Sequence, residues 1–296
     1  MVILCKFRTK LCILKIYLNY KKVKIRKYIP LLFTAFLLFD CSTVPITGRK
    51  RINLVSDSQI LPTSFSQYQG FLEKNKLSTN REMTNQVKDV GQRISAAVDR
   101  FMRANNMVAE ADAYKWEFNL VEDKTVNALC MPGGKVVFYT GIMPICDNEN
   151  GVAAVMGHEV AHAFAKHGQE RMTSAYGQQI GALIVALDSS NKNPQSQVIW
   201  NMAYGIGSSV GMLAFSRTHE TEADKLGLVF MIMAGYDGNE AAEVWVRMSK
   251  RAGKKGGPEF LSTHPSNERR IATLRAYLPE AQQLAAKFNN QTQNQN

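Results

Sequence analysis

His158-Glu159-Val160-Ala161-His162, inside the stretch DNENGVAAVMGHEVAHAFAKHGQER that spans residues 147–171, decides how this chain is read. Asp147 or Asn148 can cap a helix whose apolar positions Val152, Val155, Val160 and Ala161 carry it to about His167. On a helix, residues four apart lie about 40° from each other around the axis, so the two imidazoles project from one face and can grip one ion. Glu159, beside the first imidazole, can reach a water held by that ion without being a ligand itself, which suits a general base. Neutral imidazoles with one carboxylate and a water describe catalytic zinc, one ion per chain.

The third donor distinguishes two kinds of zinc site. The extension H-E-x-x-H-x-x-G-x-x-H needs glycine at position 165 and histidine at 168, whereas this chain has Ala165 and Gly168. That class is excluded. His167 falls one place out of register and reads as a residue packing at the helix end, where an imidazole suits the dipole. The other possibility is a distant glutamate on a second helix. Residues 216–227 read SRTHETEADKLG, a charged helical stretch in which Glu220 and Asp224 stand four apart on one face. Within it His219 and Glu222 read as part of a solvated face.

Working outward, Val87, Val90, Ile94, Val98 and Phe101 recur at spacings of three and four between Thr84 and Met102 and predict an amphipathic helix. Tyr114 to Val121 and Lys135 to Tyr139 read as strands, with Met131, Pro132, Gly133 and Gly134 as punctuation before the second. The apolar runs from Ile180 to Leu187 and from Val198 to Leu213 are interrupted by glycine and polar residues, and read as buried helices. The Asn- and Gln-rich end, residues 286–296, reads as a disordered tail.

The formal net charge of +11 is concentrated at the start of the chain, where nine lysines and arginines precede Cys41 against one acid, Asp40. Beyond Cys41 the chain shows no nucleic-acid footprint. A basic stretch, the apolar run Leu31–Phe39 and then Cys41 have the layout of a bacterial export signal over residues 1–41, with Cys41 as the candidate lipidation site. Residues 42–60, with their proline and glycine, read as a tether. Cys130 and Cys146 can pair or remain free thiols; sequence leaves both open.

H-E-x-x-H followed at this distance by E-x-x-x-D, inside S-R-x-x-E-x-E-A-D, resembles the gluzincin peptidases of family M48, the HtpX- and Oma-like group. Asn127-Ala128 with Pro132-Gly133-Gly134 and Gly141 is similar to the family's strand motif. Thr263-His264-Pro265 with Arg270 is similar to its H-P motif, and CSTVPITGR, residues 41–49, to the start of family lipoproteins. The likeness covers most of residues 41–275. With no tetratricopeptide region and no flanking membrane span, it points to the compact bacterial lipoprotein branch.

The resemblance implies Glu220 as third zinc ligand and Asp224 as the residue that orients a ligating histidine. It implies His264 as a group that either stabilises the oxyanion or occludes the metal, with Arg270 in support. It further implies an edge strand of Gly134, Lys135, Val136, Val137 and Phe138 along which an extended substrate pairs. The expected fold is α+β and mainly α, a zincin-like metallopeptidase domain over residues 61–285 with a small β-sheet beside the HExxH helix.

The expected function is zinc-dependent endopeptidase action on misfolded or misassembled envelope proteins, as quality control. The expected location is the periplasmic side of the bacterial cell envelope, on the outer membrane through a lipid anchor, with no nucleic-acid partner. The alternative is a chaperone-like binding protein with a latent zinc site.

Overall fold

The longest apolar stripe lies at the centre of the packing. In the computed structural model, which describes residues 41–175, 216–252, 260–264 and 268–293, that stripe lies on a helix at Arg81–Ala104. The Asn80 side chain accepts from the Met83 N–H at 3.1 Å and so caps it. Val87, Val90, Ile94 and Val98 are fully buried on its inner face. The predicted helix is therefore present, longer by a turn. The export signal through residue 40, the runs 180–187 and 198–213, and Pro265 lie outside the described residues.

The other elements arrange around it. In chain order they are β1 (Cys41–Thr43), β2 (Lys50–Ile52), α1 (Asp57–Lys74), the stripe helix α2, α3 (Val108–Ala113), β3 (Glu117–Val121), β4 (Ala128–Met131) and β5 (Lys135–Tyr139). Then come α4 (Met143–Cys146), α5 (Glu149–Phe164), α6 (Arg217–Met233), α7 (Glu240–Ala252), α8 (Phe260–Thr263) and α9 (Glu268–Gln293). A further helical stretch covers 167–175. The fold is α+β and mainly α, as expected, and its core is shared by α2, α5, α6, α7 and α9.

The small sheet has the order β3-β5-β4, with β3 parallel and β4 antiparallel to β5. The expectation that Gly134–Phe138 forms an edge is corrected: β5 is the central strand, with its main chain paired on both sides. The physical reason is legible in its composition, because Val136, Val137 and Phe138 are all fully buried, a continuous apolar run rather than an alternating one. Lys135 is occupied too, its Nζ meeting Glu117 at 3.1 Å. Gly133 (φ 80°) and Gly134 (φ 83°) make the turn from β4 into β5, consecutive left-handed residues that side chains resist.

Asn148 caps α5 by accepting from the Gly151 N–H at 3.0 Å. The helix ends at Phe164 and the chain turns at Lys166, φ 59°, so His167 begins a new helical stretch instead of closing the old one. α5 crosses α6 where Gly157 meets Gly227. A Cβ on Gly227 would lie 2.7 Å from Gly157 C and from His158 N. No larger residue fits at that crossing, and its closeness sets how far α6 stands from the two histidines.

Two boundary expectations also change. Residues 42–60 are packed and do not form a loose tether: β1 and β2 pair as a hairpin, Val44 is fully buried, and Arg49 reaches Glu170 and Glu222, each at 2.6 Å. Proline and glycine here make a tight turn, closed by Gly48 N–H donating to Val44 O at 2.9 Å. At the other end, α9 runs to Gln293, past residue 286 where disorder was expected. Ala285 is buried and the Phe288 ring lies edge-on to Phe101 at 4.7 Å, so packing carries the helix into the polar tail. Cys130 and Cys146 are both free thiols.

Candidate metal centre

Four donor atoms converge where α5, α6 and the end of α8 meet. His158 Nε2 lies 3.1 Å from His162 Nε2 and 3.2 Å from His264 Nδ1. Glu220 Oε1 lies 3.0 Å from His264 Nδ1 and 3.4 Å from His162 Nε2. Four ligands at about 2.0–2.1 Å in a tetrahedron stand about 3.3 Å from one another. The spacing therefore fits a small divalent ion, and the residue types fit it as well. All four residues are buried.

The protonation of His158, His162 and Glu220 suits the same use. Burial holds both His158 and His162 below the ordinary imidazole value, so both are neutral at pH 7 and offer a lone pair. Burial works against ionised Glu220, yet the charges of His264 and Arg270 keep its carboxyl well below the usual range. His264 differs from the other two histidines: Glu220 and Glu159 overcome its burial and raise its value, which favours the protonated ring.

Arg270 and Asp224 tie the cluster together. Asp224 Oδ1 stands 3.1 Å from His158 Nδ1, the nitrogen that faces away from the other donors. Arg270 donates to Asp224 from Nε at 2.5 Å and from Nη2 at 2.7 Å, and its Nη1 pairs with Glu220 Oε2 at 2.6 Å. The guanidinium lies 3.6 Å over the Trp245 ring. One buried cation is thus shared by two buried carboxylates and offsets part of their charge.

Glu159 is buried beside this group. Its Oε1 accepts no hydrogen bond among the described residues, the nearest basic atom being His264 Nε2 at 3.5 Å. Burial pushes its carboxyl up to about 7, and the opposing charges of His264 and Arg270 and the Cys130 N–H do not cancel that. Such a group can both take and give a proton near neutrality.

The structure brings together His158, Glu159, His162, Glu220, Asp224, His264 and Arg270, all selected from sequence. It does not bring β5 to the site; the strand that packs on α5 is β4, whose far side pairs with no strand among the described residues. Glu222 is not on a solvated face but buried, bonded to His167 and Arg49. Sequence reading missed Gly157, Gly227 and Trp245. The two glycines left a signal, since glycine inside a helix costs stability and tends to have a packing reason.

A histidine pair one helical turn apart, a glutamate from a crossing helix and a buried carboxylate with one oxygen unbonded define a zincin-like metallopeptidase. Residues 88–278 match the model of Peptidase family M48, and the chain belongs to that family. It is similar to the mitochondrial metalloendopeptidase OMA1 of Schizosaccharomyces pombe, 34% identical over 243 residues, covering 81% of this chain and 67% of the relative. The protein of that name from Saccharomyces cerevisiae is 31% identical over 272 residues, 88% of this chain and 76% of its own. A putative beta-barrel assembly-enhancing protease of Vibrio cholerae is 30% identical over 179 residues, 58% of this chain and 37% of its own. The protein is a metalloendopeptidase.

These findings correct the expected location. The relatives that match over four fifths or more of this chain are named as mitochondrial, which overturns the reading of a bacterial, periplasmic, lipid-anchored protein. The charged and apolar leader that prompted it has a general layout that many targeting segments share.

Proposed function

We propose that the protein is a zinc-dependent endopeptidase whose ion is held by His158, His162 and Glu220. We further propose that it cuts misfolded or misassembled proteins of the envelope around a cell or organelle. The observation that carries this is the unbonded Glu159 Oε1 beside four convergent donors. Zinc is favoured by the mix of imidazoles and one carboxylate at tetrahedral spacing. The substrate class is supported by the names of the relatives, a metalloendopeptidase and a beta-barrel assembly-enhancing protease.

When bound, zinc polarises the scissile carbonyl and makes a water nucleophilic near neutral pH. Glu159 takes the proton of the attacking water and passes it to the leaving amine. Asp224 holds the His158 ring through Nδ1, and Arg270 keeps Asp224 and Glu220 ionised and aimed. An extended substrate adds to the open side of β4, where its backbone pairs with Ala128–Met131 and its carbonyl lies toward Glu159.

A second reading is favoured by His264, whose Nδ1 takes the fourth place among the donors. In this arrangement the site is closed, and cleavage requires His264 to move aside; a protein held closed would act as a binding protein. Glu159→Gln should keep about one zinc per chain and lose casein cleavage, while His158→Ala should lose both. Wild-type protein that binds zinc but cleaves nothing, even with His264→Ala, would establish the binding role and end the peptidase reading.

A further inference from the structure

Behind His162, on the side away from the other donors, lies a second buried polar cluster. His162 Nδ1 stands 2.9 Å from His167 Nδ1, and His167 Nε2 stands 2.8 Å from Glu222 Oε2. That carboxylate oxygen also accepts from Arg49 Nε at 2.6 Å, and the Thr47 hydroxyl donates to its partner oxygen, Oε1. Arg49 continues through both terminal nitrogens to Glu170, at 2.6 and 2.8 Å. His167 is fully buried and its ring stacks on His219 at 4.4 Å.

The order of donors along this path follows from chemistry. A carboxylate only accepts, so the His167 nitrogen facing Glu222 carries hydrogen. A neutral imidazole has one N–H, which leaves His167 Nδ1 as a lone pair and makes His162 Nδ1 the donor to it. His162 Nε2 is then bare, and it is the nitrogen turned toward His158 and Glu220. The opposite polarity would place a hydrogen on Nε2 and aim a donor into the cluster.

We propose that His167 is a positioning residue: backed by Glu222 and by Arg49 of the β1–β2 hairpin, it fixes the tautomer and ring orientation of His162. The inference rests on the reading of His162 as a metal ligand. Its counterpart on the other imidazole is Asp224, which meets His158 Nδ1 directly. Here the carboxylate acts through one more imidazole, and the hairpin clamps it from outside the catalytic helices. Residues 41–52 thereby become part of the metal site's support. His167, Glu170 and His219 could be taken for a metal site of their own, but the Arg49 guanidinium, paired with Glu170 through two nitrogens, supplies the positive charge there.

The test is metal affinity and ligand geometry in the full-length protein. Zinc Kd is measured by chelator competition, and the visible spectrum is recorded for the cobalt-substituted protein. His167→Leu, of similar bulk but with no acceptor, should weaken zinc about 10- to 100-fold and alter the cobalt spectrum. His167→Gln, whose amide oxygen can accept from His162 Nδ1–H, should recover much of both. Arg49→Met, on the hairpin and away from the helix core, should weaken zinc in the same direction with circular dichroism unchanged. It decides the matter if His167→Leu fails to fold. Wild-type affinity and spectrum in His167→Leu, or in Arg49→Met where the first does not fold, would overturn the proposal. Wild-type protein that itself binds no ion would instead sink the metal centre on which it rests.

Discussion

Replacing Gly227 by alanine puts a methyl group into the crossing of α5 and α6. Its carbon would stand 2.7 Å from Gly157 C, 2.7 Å from His158 N and 2.9 Å from Gly157 O. Carbon contacts relax at about 3.5–4.0 Å, so the helices must part by roughly 1 Å. The obstructing atoms are backbone, and no side chain can swing aside to absorb the change. Overpacking of this kind costs about 1–3 kcal/mol, and alanine's better helix propensity offsets roughly 0.5–1 kcal/mol of it. The net loss of about 1–2 kcal/mol lowers the Tm by roughly 2–8 °C for a domain of this size. The larger effect falls on the metal, because Glu220 sits two turns from the crossing on the helix that moves. Ligand distances tolerate only about 0.2 Å. Zinc content by elemental analysis and thermal melts with and without chelator measure both effects. A Gly227→Ala protein that melts at or above the wild-type temperature and binds zinc as tightly would refute the claim that this contact sets the site.

Two further outcomes rest on the charge arrangement. If the four donors bind an ion only in the folded chain, free zinc at a thousand times its Kd should stabilise by about 4 kcal/mol; chelator-treated and reloaded protein with the same Tm would contradict that. Arg270→Met leaves Asp224 and Glu220 as buried carboxylates without their cation, and urea denaturation should show a loss of about 3–5 kcal/mol. A loss under about 1 kcal/mol would mean that the pair is not balanced by Arg270.

The histidine pair was legible because helical periodicity turns sequence spacing directly into geometry; the same spacing put Glu220 and Asp224 on one face, while their roles beside the histidines followed from the family resemblance. Periodicity likewise reveals α2, whose apolar stripe is long enough to be unambiguous. The sheet was harder. Val136, Val137 and Phe138 announce a strand, but whether a strand is central or at an edge depends on what pairs beside it, and the four residues of β4 are too few to carry a pattern. Residues 42–60 looked like a tether because Pro45 and Gly48 signal a turn equally well in a loose chain and in a packed hairpin. What separates the two is the reach of Arg49 to Glu170 and Glu222, partners more than a hundred residues away. Glu222 was misjudged for the same reason: a charged residue on a helix reads as solvated until a distant cation is known to cover it. His167 was read as closing the HExxH helix, because nothing in the sequence announces the turn at Lys166 that ends that helix before it. At the C-terminal end, glutamine is a fair helix former, and only the contact of Phe288 with Phe101 decides that the helix persists.

Cys130 and Cys146 carry a consequence for how such a domain meets oxidants. Neither is bridged, and burial holds the Cys146 thiol up to about 12 and pushes Cys130 in the same direction. Thiols that stay protonated are slow nucleophiles, poor targets for peroxide and weak partners in disulfide exchange. Among the described residues no disulfide supports the fold. The stability of the described domain rests on packing and on balanced buried charge.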